Sequence, residues 1–230
     1  MKVGVVADIH GNRPALEAVT ESLAAHDVDS LVCLGDIVGV LGDAQYCAAT
    51  IRDEAAHVVH GNHDARVFPD RGWLPTRDTE VVEYEHITED LTATTFDWLT
   101  GLPETTTAYD TVFIAHATPG PDDPIGWTRG NAGIWPTDFE RVGREHLDTS
   151  QILLLGHTHH QHAAEVPTAS GEPGLVLNPG AVGYPLQHED DETGRADFAI
   201  VDTETREFGL GSVSYDSTAV LEFLEAAGLE

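Results

Sequence analysis

The chain has 230 residues, with 11 Lys+Arg against 40 Asp+Glu, a formal net charge of −29 at pH 7, and a single lysine, Lys2. A nucleic-acid-binding surface needs basic side chains to displace counterions from phosphates, so this balance excludes a free nucleic-acid-binding module and disfavours anionic membranes. With 41% hydrophobic and 22% charged residues the composition is still that of a globular chain, and the charge excess comes from missing lysine. Such a surface suits a salt-rich, halophilic cytoplasm, where the screening length falls to about 3 Å at 1 M salt. The length fits one domain over residues 1–230.

In chain order, Lys2–Ala7 reads as a buried strand, and Pro14 opens an amphipathic helix that runs to Ala25. Ser30–Leu34 repeats the strand signal, Ala44–Arg52 a helix, and His57–His60 a third strand, giving a β-α-β-α-β run with parallel strands. Thr88–Leu99 reads as one helix stopped by Gly101 and Pro103. Thr111–Ala115 is a strand, Thr137–Leu147 a helix with a Thr137/Glu140 capping box, and Gln151–Leu155 an apolar strand. Strands at Leu175–Asn178, Ala196–Asp202 and Glu207–Tyr215 follow, then a helix at Ser217–Ala227. Residues 68–85 and 117–136 read as long loops of the kind that bind or cover ligands, and 189–195 as an acidic turn.

The two cysteines, Cys33 and Cys47, are too few for a disulfide framework or a thiolate metal site and read as small buried hydrophobes. No stretch approaches about 18 apolar residues, and the first residues enter a strand with no signal-peptide pattern. A cytoplasmic location is expected.

Polar clusters follow the strands directly: Asp8-Ile9-His10-Gly11-Asn12, Gly35-Asp36, Gly61-Asn62-His63-Asp64, His116, and Gly156-His157-Thr158-His159. In an open α/β sheet, ligands bind outside the carboxyl ends of parallel strands, so these clusters are expected to converge. Asp8 and His10 are two apart, so an extended exit from the strand would point both the same way, and His157 and His159 share that spacing. The clusters offer a donor set of two Asp, one Asn and four His, which suits two divalent transition ions, with Mn, Fe, Zn, Co or Ni fitting the mixture better than Ca.

In order and spacing, DIHGN, GD, GNHD, a lone His after a strand, and GHTH resemble the calcineurin-like metallophosphoesterases, and GDIVG, GNHD, GHTH and NPGAVG resemble the compact bacterial and archaeal phosphodiesterase branch related to YfcE. The resemblance runs from Lys2 to about Asp202. It implies a four-layer α-β-β-α sandwich and a dinuclear centre, manganese being the first expectation. Asp8, His10, Asp36 and His159 would hold one ion, and Asp36, Asn62, His116 and His157 the other, with Asp36 shared. His63 would face the leaving-group oxygen as a general acid or steady its charge. A hydroxide bridging ions about 3.5–4 Å apart would attack phosphorus in line, hydrolysing phosphodiesters and with them phosphomonoesters of small molecules. Homo-oligomers are open to such a chain. Asn12 and Asp64 are candidates for supporting roles, and Arg13 and Arg66 for phosphate contacts or helix-surface pairs.

Two departures narrow the branch. Protein phosphatases and symmetrical dinucleoside tetraphosphatases carry GDxxDRG, whereas this chain reads Gly35-Asp36-Ile37-Val38-Gly39-Val40. Many relatives continue NPGAVG with Pro-Arg, whereas Pro185 is followed here by Leu186. A non-catalytic scaffold, as in the related retromer subunit, is disfavoured by the presence of His63, and a nuclease by the missing basic face.

Overall fold

β1 (Lys2–Val6) sends alternate side chains into two different cores, and that alternation organises the molecule. The computed structural model describes residues 1–68, 78–117, 133–147, 151–184, 187–188 and 193–228. In the first sheet β1 runs parallel to β2 (Ser30–Cys33), and β2 to β3 (Ala55–Val58). On its other side β1 pairs antiparallel with β10 (Thr193–Asp202), which carries β11 (Phe208–Asp216) and the short β9 (Gln187–His188). The order is β11-β10-β1-β2-β3. A second sheet has the order β4-β5-β6-β8-β7, built from β4 (Thr105–Ala108), β5 (Val112–Ala115), β6 (Ile152–Leu154), β7 (His162–Pro167) and β8 (Pro173–Asn178). β5, β6 and β8 are mutually parallel.

Val3, Val5, Val32, Leu34, Ile114, Ile152, Leu154, Leu175 and Leu177 fill the space between the sheets. The opposite face of the first sheet, including Val6 and Cys33, packs on α1 (Arg13–Ala25) through Leu16, Val19 and Leu23, and on α2 (Ala44–Glu54) through Cys47 and Ile51. Leu153, Leu155 and Val176 face outward from the second sheet onto Phe139 and Val142 of α6 (Phe139–His146). Helix, sheet, sheet, helix is the four-layer sandwich that the resemblance implies. Each fully buried Val or Leu here contributes about 1.5–3 kcal/mol relative to exposure.

Several boundaries differ from the sequence reading. β3 lies at Ala55–Val58 rather than 57–60, because α2 passes straight into it with Ala55 already extended. The single helix expected at Thr88–Leu99 is two, α4 (Asp78–Asp90) and α5 (Ala93–Thr100), since the Thr92 side chain accepts from the Thr95 N–H (3.3 Å) and starts a new helix. α4 also occupies the C-terminal part of the loop expected at 68–85; residues 69–77 lie outside the described residues, as do 118–132 of the second loop. The helix expected from Thr137 opens with a 3-10 turn (Pro136–Asp138) and takes Asp138, not Thr137, as its N-cap; the Asp138 carboxylate accepts the Trp135 N–H (3.2 Å). β10 begins at Thr193, inside the expected acidic turn, whose residues 189–192 lie outside the described residues. β4, β7 and α3 (Asn62–Arg66) add to the elements read from sequence, and α7 (Thr218–Ala227) closes the chain. Among the described residues no helix is long and apolar enough to cross a membrane.

Candidate metal centre

The carboxyl ends of β1, β2 and β3 in one sheet and of β5 and β6 in the other open on the same place. Backbone hydrogen bonds lock the exits together: Asp8 N–H to Gly35 O (3.0 Å), His10 N–H to Asp36 O (2.9 Å) and Gly156 N–H to His116 O (2.9 Å). The exits are not extended, although the spacing argument assumes that they are. Asp8, His10, Asp36, His157 and His159 have φ of 57°, 52°, 50°, 67° and 56°. Left-handed backbone costs a non-glycine residue about 1–2 kcal/mol, so alternate left-handed residues, held by those interloop bonds, are what turn the side chains inward. Space is the second requirement. A Cβ on Gly61 would fall on Asp36 Oδ1, and one on Gly156 would come within 3.1 Å of Asp8 Oδ2.

The seven donors expected from sequence meet in two sets. In the first, His159 Nε2 lies 3.2 Å from Asp8 Oδ1 and 3.4 Å from His10 Nε2, and His10 Nε2 is 3.7 Å from Asp36 Oδ2. In the second, His116 Nε2 lies 3.4 Å from Asp36 Oδ2, and Asn62 Oδ1 is 3.2 Å from His116 Nε2 and 2.8 Å from His157 Nδ1. One atom from each of Asp8, His10, Asp36 and His159 fits within 4.8 Å, and so does one from each of Asp36, His116 and His157. Asp8, His10, Asp36 and His116 are buried. Buried carboxylates facing ring nitrogens and an amide oxygen form a donor-rich cavity whose chemistry fits divalent transition ions.

The charges on these groups follow from their neighbours. Burial penalises ionised Asp36, but His116, His63 and His10 together hold its carboxyl well below the usual carboxylate range. Burial would lower His116, yet Asp36 and Asp8 hold it up at about 9. Burial and His116 push His157 down to about 4, and burial with His63 pushes His10 well below its ordinary value. His159 is raised, since Asp8 outweighs its burial.

His63 sits at the start of α3, with its backbone N–H donated to Asp36 Oδ1 (2.7 Å) and its ring edge-on to His10 (centroids 4.6 Å, 86°). The supporting candidates separate clearly. Asp64 is fully buried and accepts from Ile37 N and Val38 N (both 3.0 Å) through one oxygen and from Gly61 N (2.8 Å) through the other, so it ties the Asp36 loop to the Asn62 turn. Asn12 caps α1, accepting from Ala15 N (3.1 Å), and donates to Gly183 O (3.0 Å) and Tyr215 Oη (2.9 Å). Arg13 pairs with Glu17 (2.8 Å) over the Tyr46 ring on the helix surface, away from the donors. Arg66 instead turns inward, to His63.

Three supporting groups carry no role in the sequence reading. Leu34 O lies 2.7 Å from His116 Nδ1 and accepts its proton. Asn178, within NPGAVG, donates to Gly156 O (2.8 Å) and Thr158 Oγ1 (3.1 Å), bracing the turn that carries His157 and His159. Tyr184 at the end of that segment lies 5.6 Å, ring to ring, from His10. The polar Asn after an apolar strand was the available signal for one of these; a backbone carbonyl leaves none. Leu186, where an arginine was in doubt, lies outside the described residues.

The sequence matches the profile described as calcineurin-like phosphoesterase superfamily domain over residues 1–206. The chain belongs to that superfamily. It is accordingly a hydrolase acting on ester bonds. An uncharacterized protein of Methanocaldococcus jannaschii is 26% identical over 93% of this chain and 88% of its own. The crystal structure of a metallophosphoesterase from Sphaerobacter thermophilus matches with a TM-score of 0.74 at 25% identity, covering 100% of this chain and 95% of that one. A hypothetical protein from Pyrococcus horikoshii OT3 shares the fold, with a TM-score of 0.77 at 22% identity over 100% of this chain and 94% of that one.

Proposed function

We propose that this phosphoesterase is a dinuclear phosphodiesterase acting also on phosphomonoesters of small molecules, working as one domain over residues 1–230 in a salt-rich cytoplasm. The observation that carries the reading is the meeting of two donor sets at the Asp36 carboxylate, which lies 3.7 Å from His10 Nε2 on one side and 3.4 Å from His116 Nε2 on the other. Asp8, His10, Asp36 and His159 would hold one ion, and Asp36, Asn62, His116 and His157 the other, manganese being preferred over iron, nickel, zinc or cobalt. When bound, such ions would supply Lewis acidity, neutralising the charge of the ester and lowering the pKa of water.

The chain's own residues do the rest. Asp36 faces both donor sets at once, so its one carboxylate fixes their spacing. Leu34 O fixes the tautomer of His116 by accepting at Nδ1, leaving Nε2 for the centre. With ions present, the two aspartates leave a net local charge of about +2, which attracts a phosphate ester despite the acidic surface. His63, on the rim, presents a proton to an ester oxygen. Position 39, which GDxxDRG would fill with aspartate, is glycine, and a Cβ there would stand 2.5 Å from His10 Nδ1. That weighs against protein-phosphatase and dinucleoside-tetraphosphatase activity.

Hydrolysis of bis-p-nitrophenyl phosphate and p-nitrophenyl phosphate should appear in high salt with Mn, Ni or Zn and vanish on chelation. His63→Ala should lower kcat by roughly 10²–10⁴-fold while keeping both ions. Full turnover by metal-stripped protein, or by His63→Ala, would overturn the reading. Thermal stability rising with salt checks the halophilic part.

A further inference from the structure

We propose that Arg66 is a positioning residue for His63, holding its imidazole as the tautomer that accepts at Nδ1 and carries its proton on Nε2. The inference rests on the phosphoesterase reading and specifies how the histidine that presents the proton is set. Arg66 lies three residues after His63 on the single turn of α3, where i and i+3 side chains share a face. Its Nη1 lies 3.1 Å from His63 Nδ1. A guanidinium has five N–H donors and no acceptor, and stays charged throughout the working range of pH. The contact is therefore a hydrogen bond in one direction only, and Nδ1 must supply the lone pair. Nε2 is then the N–H.

The direction of that bond matters for the substrate. A phosphate ester presents oxygens that accept, so a ring offering Nε2–H attracts it, whereas a ring offering an Nε2 lone pair repels it. A carboxylate on Nδ1 would select the proton-bearing Nδ1 and so the wrong tautomer. The loop after Asp36 cannot bring one from position 39, because the Gly39 backbone packs directly on His10. The remaining freedom of the ring is small. The backbone N–H of His63 is held by Asp36 Oδ1 (2.7 Å), and the His10 ring stands edge-on at 4.6 Å, so the Arg66 bond fixes which ring nitrogen points where.

The test uses full-length protein labelled with 15N in its histidines, loaded with diamagnetic zinc, and two-bond 1H–15N correlation spectra in which His63 is identified from its absence in His63→Ala. Native protein and Arg66→Lys, which keeps a donor, should show Nδ1 bare and Nε2 protonated. Arg66→Glu should invert the pattern and lower kcat by roughly 10²-fold, the low end of what a positioned proton donor contributes, with KM little changed and zinc content equal to native. A protonated Nδ1 in the native spectrum, or a pattern unmoved by Arg66→Glu, would overturn the proposal. Absence of turnover by native protein on every ester would instead remove the phosphoesterase reading, while the spectrum still judges the pairing.

Discussion

The two donor sets are built from the same strand ends, yet their support differs. In the second, His116 is anchored by Leu34 O at 2.7 Å and Asn62 Oδ1 is shared between His116 and His157. In the first, His10 Nδ1 is buried with no hydrogen-bond partner among the described residues, and the ring packs against Gly39, Tyr184 and His63. Among the described residues the first set has two carboxylates, Asp8 and Asp36, whereas the second has the shared one. Charge therefore favours the first set and pre-organisation the second, which is a reason for the two to bind ions with unequal affinity and selectivity.

The sharpest way to break this comparison is at the shared residue. Asp36→Asn should remove both ions and reduce turnover by more than about 10³-fold, read by metal analysis alongside kcat. Next come the single-set changes: His159→Ala and Gly39→Ala, the latter by pushing on His10, should weaken the first ion by about 10–100-fold and leave the second, with His116→Ala doing the reverse. Calorimetric titration of each variant would show one surviving phase.

Proton linkage gives a smaller, continuous effect. Because Asp36 and Asp8 hold His116 at about 9 in the metal-free protein, ion binding to the second set must expel its proton, and affinity should rise by about tenfold per pH unit from 7 towards 9. The sign for stability is the opposite. A pKa raised above the unfolded 6.5 means that the His116–carboxylate pairing stabilises metal-free protein fully below pH 6.5 and is lost as pH rises through 9. Melting curves at several pH values, with and without metal, should converge only on the acid side if metal takes over from that proton.

Asp64→Asn should cost about 1–3 kcal/mol, since an amide cannot accept on both sides from the Ile37, Val38 and Gly61 N–H groups. Arg13→Ala, with its exposed Glu17 pair, should leave stability nearly unchanged and turnover intact. Denaturant unfolding separates these two.

The strands and their clusters were legible because buried parallel strands are apolar throughout and a polar residue directly after one has few places to go but the sheet's end. Val3–Val6 followed by Asp8 and His10, and Ile152–Leu155 followed by His157 and His159, carry that signal in their residue types alone. The break at Leu91–Thr92 was hidden because Thr92 looks like any helical residue until its hydroxyl is seen to cap. β4 was hidden because TTTA is an edge strand whose pairing with β5 lies outside its own pattern.

Residue identity and spacing by themselves determined the apolar runs and the polar clusters that follow them, and the resemblance those motifs carry implied the superfamily and the layered fold, since residue chemistry and apolar runs are local properties. Only the tertiary structure decided how those donors turn inward, through left-handed residues that interloop hydrogen bonds hold in place. It also assigned Asp64 to the backbone, Arg13 to the surface and Arg66 to His63. Which side chain meets which is a question of distance in space, and loops distant in sequence settle it.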